Sequence, residues 1–273
     1  MRGELLVGLV LVACERPPQP ILICHNANCA GPVDSARDST LAALDTSLAL
    51  RRDGRPPFDG IELDLVWHAA SGSCRFAHDG DAGGAAPVAQ LAAERVADHL
   101  AREAWVTWRS EAFHLFVDLK PPDSAARLDH ATCALDVAAT VATGAAAGQH
   151  ALEVVITSKS SALLAAVRAE PRFAVGLGPD VVLHLGGDLG IPRPLGGDTR
   201  PLADYDTALG LEVMGYNADF TTQAQHQAIR ALELEPAQWM STTTVETLDA
   251  IERYRPTYVL ASEVPLLRAW LER

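Results

Sequence analysis

Basic side chains are scarce in this chain. Lysine and arginine number 22 against 35 aspartates and glutamates, for a formal net charge of −13. That balance argues against sequence-independent binding to nucleic acid, because neutralising phosphates takes a basic surface. An acidic average still permits a local anion site, above all one built on a metal. No apolar run approaches the ~20 residues that a membrane-spanning helix requires, and no internal repeat or coiled-coil pattern is present. What the chain has is apolar bulk. Hydrophobic residues make up 48% of its 273 positions, enough for one large α/β domain or two small ones with a sizeable core.

The chain opens MRGELLVGLVLVACERPPQP. A charged Arg2, a short apolar stretch from Leu5 to Val12 and a small-residue ending have the layout of an export signal. Leu11-Val12-Ala13-Cys14 resembles the bacterial lipobox, in which the cysteine is lipidated and becomes the first residue. Residues 1–13 are therefore expected to be a lipoprotein signal peptide and 14–20 a proline-rich tether. The expected location is outside the cytoplasm, on a membrane through a lipid on Cys14; a plain export signal or a frayed apolar start is the alternative. Cys24, Cys29, Cys74 and Cys133 remain, an even number that permits disulfides in an exported chain. Cys29 and Cys74 both fall in loop-like sequence and form the preferred bridge. Cys24, in a strand, and Cys133, in a helix, read as buried thiols.

Short β-prone runs alternate with Ala/Leu-rich helical runs from residue 21 to the end. Strands are expected at 21–26, 60–67, 114–120, 152–159, 181–186, 211–217, 238–244 and 258–262, with a short returning strand within 72–80. Helices are expected from Ser39 to about Arg52, in two stretches between Val88 and Glu111, from about Ser124, and at 160–172, 221–234, 245–255 and 264–273. Residues 186–201, GGDLGIPRPLGGDTRP, are long for a connection and make a candidate flap. Eight strand-then-helix units in one domain, residues 21–273, fit an α/β (β/α)8 TIM barrel. An open doubly wound sheet is the alternative, weakened by the lack of a Gly-rich phosphate loop after the first strand.

The stretch GIELDLVW, Gly60 to Trp67, places Glu62 and Asp64 two apart inside a β-prone run. Residues i and i+2 of a strand share a face, so both carboxylates point one way while Ile61, Leu63 and Leu65 point the other. HLFVDLK repeats the pattern with Asp118 and Lys120. In a TIM barrel the catalytic groups sit at the carboxyl ends of the strands, where these residues fall. Three carboxylates meeting there repel, by about 4 kcal/mol per pair at ~4 Å and an effective dielectric of ~20. Either one is protonated or a cation lies between them, and hard oxygen ligands suit Mg²⁺ or Ca²⁺ rather than zinc. The plain alternative is a buried ionic cluster with Lys120 and Arg75. His25 and His78 each sit at a strand end beside the acids, which suggests paired general acid and base catalysis. The other seven histidines read as ordinary core or surface residues.

In order, His25-Asn26, Asp38-Ser39-Thr40, Glu62-Leu63-Asp64, His78-Asp79 and Asp118-Leu119-Lys120 resemble the motifs of the glycerophosphodiester phosphodiesterase family, among the phospholipase-C-like TIM-barrel phosphodiesterases. Trp239 and Ser262-Glu263-Val264-Pro265 resemble its ending. Asn26 stands where that family has a phosphate-contacting arginine, Asp38-Ser39 where it has Glu-Asn, and Asp118 where it usually has Glu. Asp118-x-Lys120 and His25-x-x-Asn28 look more like the sphingomyelinase D type phospholipases. His25-Asn26 with Glu62-Leu63-Asp64 looks like the X region of phosphatidylinositol-specific phospholipase C. The resemblance implies a phosphodiester hydrolase acting on glycerophosphodiesters or phospholipid head groups. Glu62, Asp64 and Asp118 would hold one Mg²⁺ or Ca²⁺, His25 and His78 would move protons, and Lys120, Asn26 and Trp239 would bind substrate. A phospholipase of either related kind, and a non-catalytic barrel that binds a phosphorylated ligand, are the competing expectations.

Overall fold

The computed structural model describes residues 19–32, 37–78, 85–103, 111–120, 126–189, 209–218, 223–240 and 242–273. The expected signal peptide, Cys14, most of the tether, Asp79 and most of the candidate flap lie outside these residues, as does 104–110, where the second of the two helical stretches was expected. The strands are β1 (Ile21–Cys24), β2 (Gly60–His68), β3 (Ser73–Phe76), β4 (Ala112–Lys120), β5 (Ala151–Ser158), β6 (Val181–Asp188), β7 (Val213–Asn217), β8 (Glu235–Met240) and β9 (Tyr258–Ala261). The helices are α1 (Leu41–Leu48), α2 (Ala89–Arg102), α3 (Arg127–Ala147), α4 (Ser161–Ala169), α5 (Pro171–Val175), α6 (Gln223–Ala231), α7 (Val245–Tyr254) and α8 (Val264–Leu271).

β1 pairs in parallel with both β2 and β9, and the order β1-β9-β8-β7-β6-β5-β4-β2 closes on itself. The result is a closed eight-stranded parallel barrel, a TIM barrel, with β3 added as an antiparallel hairpin on the outer half of β2. The open-sheet alternative is thereby excluded. Alternation along each strand divides the core in two. Leu63, Leu65, Val117, Leu119 and Ile156 point outward into the layer shared with the helices. Ile23, Phe116, Val155, Val213, Ala237, Tyr258 and Leu260 fill the barrel's interior and form the floor under the mouth. Gly60 lets β2 approach β4, since a Cβ there would lie 2.1 Å from the His114 carbonyl oxygen. No helix among the described residues is long and apolar enough to cross a membrane.

The boundaries differ from expectation where local chemistry intervenes. β1 stops at Cys24 because Asn26 and Ala27 turn left-handed (φ 51° and 53°). The helix expected over 160–172 is broken at Glu170, since the residue before a proline is pushed out of the helical region; Pro171 then opens α5.

The cysteine pairing is a correction. The bridges are Cys24–Cys29, with Cα atoms 5.1 Å apart, and Cys74–Cys133, 6.3 Å apart. The turn after β1 brings Cys29 back beside Cys24. Cys74 is a buried position on β3, facing Cys133 on α3. Neither Cys24 nor Cys133 is a free thiol.

The closing helix is pinned by one buried ion pair. Arg268 Nη2 lies 2.8 Å from Asp59 Oδ2, and both side chains are fully buried. Arg268 Nε also donates to the Pro57 carbonyl, and Asp59 accepts from the Leu22 amide. Arg268→Ala strands a buried carboxylate under β1, and breaking such a pair costs about 3–5 kcal/mol. A loss of that size in a urea or thermal unfolding midpoint is the expected result, and a change below about 1 kcal/mol would show the pair to be inconsequential.

Candidate active site

The barrel register places the acids. Asp64, Asp118 and Thr157 are lateral neighbours on β2, β4 and β5, in a single row at the mouth. One layer lower, Glu62 stands level with Phe116 and Val155, against the apolar floor. Glu62, Asp64 and Asp118 each offer a carboxylate oxygen within 4.8 Å of the others, and all three are buried. Lys120, the next inward residue on β4, places Nζ 3.0 Å from Asp64 Oδ1 and 2.5 Å from Asp118 Oδ2. Thr157 donates to Asp118 Oδ1 at 3.3 Å. Arg75 is not part of the cluster; it reaches the Ala86 carbonyl and Ser71 Oγ on the hairpin side.

His25 opens a single 3-10 turn, His25–Ala27, directly after β1. Its Nε2 lies 3.6 Å from Glu62 Oε2. The Asn26 amide N–H donates to the same oxygen at 2.9 Å. With its side-chain nitrogen turned toward the acids, Asn26 donates to Asp64 Oδ2 (3.1 Å), Glu62 Oε2 (3.3 Å) and His25 Nε2 (3.3 Å). The Asp38-Ser39 pair buttresses this turn. Asp38 Oδ1 accepts from Asn28 Nδ2 at 2.8 Å, the Ser39 amide donates to the Asn26 carbonyl, and Ser39 Oγ donates to Asp64 Oδ2 at 2.6 Å. Thr40 then caps α1 through the Ala43 amide. His78 follows β3 and is half-buried; its charge acts on both His25 and Asp64.

Electrostatically the cluster is overloaded with negative charge. Burial, then Asp64, push the Glu62 carboxyl well above the usual range. For Asp64, burial pushes the same way, but Lys120, His78 and the Ser39 hydroxyl outweigh it and hold the carboxyl below its ordinary value. Burial also works against a charged Lys120, and Asp118, Asp64 and Glu62 overcome it, keeping the ammonium protonated. Burial drives the His25 imidazole down to about 3. With one ammonium among three acids, ionisation of Glu62 is disfavoured, and a divalent cation with oxygen ligands would relieve that repulsion. The donor set therefore fits such an ion.

Across the mouth lies a group of residues for which sequence reasoning supplied only Trp239. Its ring centroid is 6.1 Å from that of His25, and its Nε1 donates to Asp188 Oδ1 at 3.3 Å. Lys159 Nζ lies over the indole, 5.6 Å from its centroid, and 3.7 Å from Asp188 Oδ2. The chain has two lysines, Lys120 and Lys159, and both stand at this mouth. The signal for Lys159 was available: Thr157-x-Lys159 spans the end of β5 as Asp118-x-Lys120 closes β4. Asp188 lay inside the segment read as a flap, which concealed its place at the end of β6.

No family model matches the sequence, and no curated protein matches it. Solved structures do. A glycerophosphodiester phosphodiesterase from Parabacteroides distasonis superposes with a TM-score of 0.63 at 11% identity, over 94% of this chain and 99% of that one. A phosphodiesterase from Oleispira antarctica, solved in complex with the product sn-glycerol-3-phosphate, gives 0.62 at 13% identity, over 93% and 98%. A glycerophosphodiester phosphodiesterase from Agrobacterium tumefaciens gives 0.56 at 14% identity, over 93% and 100%. With identities this low the likeness speaks for architecture, and along nearly its whole length the chain has the TIM-barrel fold found in glycerophosphodiester phosphodiesterase structures.

Proposed function

We propose that the protein is a metal-dependent phosphodiester hydrolase acting on glycerophosphodiesters or phospholipid head groups. The observation that carries this is the meeting of Glu62, Asp64 and Asp118 on two neighbouring strands, with oxygens within 4.8 Å of one another and His25 against Glu62. The fold shared with phosphodiesterases, one of them holding glycerol-3-phosphate, supports the same chemistry.

Glu62, Asp64 and Asp118 would hold one Mg²⁺ or Ca²⁺, which when bound supplies charge stabilisation to a phosphoryl oxygen. Lys120 sets a fixed positive charge beside the phosphate. One of His25 and His78 takes a proton from the attacking water or substrate hydroxyl, and the other protonates the departing alcohol as its P–O bond breaks. Asn26 and Trp239 line the substrate's approach. The two disulfides support export, since such bonds persist in oxidising compartments. A lipid on Cys14 would then hold the barrel near phospholipid.

The test is hydrolysis of glycerophosphocholine, a lysophospholipid and a chromogenic phosphodiester, with and without Mg²⁺, Ca²⁺ or chelator. Because the two imidazoles work in opposite protonation states, kcat/KM is expected to trace a bell against pH. Turnover that survives the chelator, or rises with pH along a single limb, contradicts the mechanism. Binding of these molecules without turnover identifies a phospho-ligand receptor instead.

A further inference from the structure

The disulfide Cys24–Cys29 closes a ring around His25, Asn26, Ala27 and Asn28. Two of the residues inside it, Asn26 (φ 51°) and Ala27 (φ 53°), are left-handed in succession. Neither is glycine; asparagine tolerates that region better than most residues, but Ala27 pays its steric penalty there, and the surroundings must hold the turn. Hydrogen bonds share in this: the Ser39 amide donates to the Asn26 carbonyl, and Asn28 Nδ2 donates to Asp38 Oδ1. The Asn26 amide donates to Glu62 Oε2, the Asn28 amide to the His25 carbonyl, and the Cys29 amide to Ser47 Oγ, which itself donates to the Ala27 carbonyl. Both sulfur-bearing residues are fully buried, and they flank the turn that carries the imidazole.

We propose that Cys24–Cys29 is a positioning cross-link. It fixes the left-handed turn from which His25 faces Glu62 and Asn26 faces the acids, and its loss lowers the rate of the chemical step while the barrel stays folded. This rests on the phosphodiesterase reading above. The second disulfide has the opposite balance. Cys74–Cys133 joins β3 to α3 across 59 residues and does not include the turn that carries His25. Closing a long loop removes more entropy from the unfolded chain than closing a short one, so this bond contributes mainly to stability.

The experiment compares two double variants of the whole chain, Cys24→Ala/Cys29→Ala and Cys74→Ala/Cys133→Ala, at a temperature where both are folded by circular dichroism. The first is expected to lose about 30-fold or more in kcat, the size of effect that slight misplacement of a reacting group produces. Its KM should stay within about threefold, since the loss falls on the transition state. The second is expected to keep kcat within about twofold and to show the larger fall in thermal midpoint. Adding Ala27→Gly to the first variant should recover part of the lost kcat, because glycine enters the left-handed region freely.

Native-state hydrogen exchange gives a readout independent of turnover. The amides of residues 26, 28 and 29 should exchange about tenfold faster or more in the first variant, with the β2 and β4 amides unchanged. Unchanged exchange at those three amides, equal kcat losses in the two variants, or no recovery with Ala27→Gly overturns the proposal. Faster exchange in a protein whose parent hydrolyses no phosphodiester leaves the cross-link standing and removes the proposed function.

Discussion

His25→Ala lowers kcat for phosphodiester hydrolysis by about 10³-fold, within the range that general acid–base catalysis contributes, while KM changes little. The residue sits at the open end of the barrel, 3.6 Å from Glu62, on a turn held in place by Asp38, Ser39 and Ser47. Its ring stands beside that of Trp239, with centroids 6.1 Å apart and planes tilted by 31°, and truncation removes a proton carrier. Steady-state kinetics with the parent's unfolding midpoint preserved is the check. A variant that retains more than about a tenth of the parent's kcat would show that no proton passes through this imidazole.

Glu62→Gln produces the second large effect, and it has two parts. The amide keeps the shape and loses the charge, so hydrolysis falls by about 10²-fold or more as the site loses its electrostatic stabilisation of the phosphoryl group. The variant also loses its response to divalent cations. A ligand that binds the folded state alone at 100 times its Kd stabilises by about 2.7 kcal/mol, so the parent's thermal midpoint should rise with Mg²⁺ or Ca²⁺ and the variant's should not. Without cation the order is expected to reverse. Burial and Asp64 already force the Glu62 carboxyl toward its neutral form, so a neutral glutamine there removes a repulsion and leaves the apo protein at least as stable as the parent. Parallel cation-dependent rises in parent and variant would show that the ion binds elsewhere.

Much of this site was written in short local patterns. Two carboxylates at i and i+2 in GIELDLVW, and Asp118 with Lys120 in HLFVDLK, declare an inward polar face on strands whose other face is Leu and Val. The barrel register then makes Asp64 and Asp118 neighbours. Strand–helix alternation implied the barrel itself. What escaped were properties set by where the chain returns after a turn. Cys29 comes back beside Cys24 because Asn26 and Ala27 are left-handed in succession, a conformation that asparagine tolerates and alanine rarely adopts. Cys133 meets Cys74 because α3 lies across the hairpin, a relation between residues 59 apart. Ser39 and Asp38 look like cap residues for α1, and only the fold shows that they reach Asp64 and Asn28. Lys159, just past β5, and Asp188, at the end of β6, come together at Trp239.

Lys120 now bridges Asp64 and Asp118, and the question that matters most is whether a divalent ion joins it among the three acids. A crystal structure with Mn²⁺, located by anomalous scattering, answers this directly. The expected result is one peak within about 2.0–2.6 Å of an oxygen from each of Glu62, Asp64 and Asp118. A strong peak elsewhere, or none with the lysine alone between the two aspartates, would contradict a metal-dependent site at the mouth of this barrel.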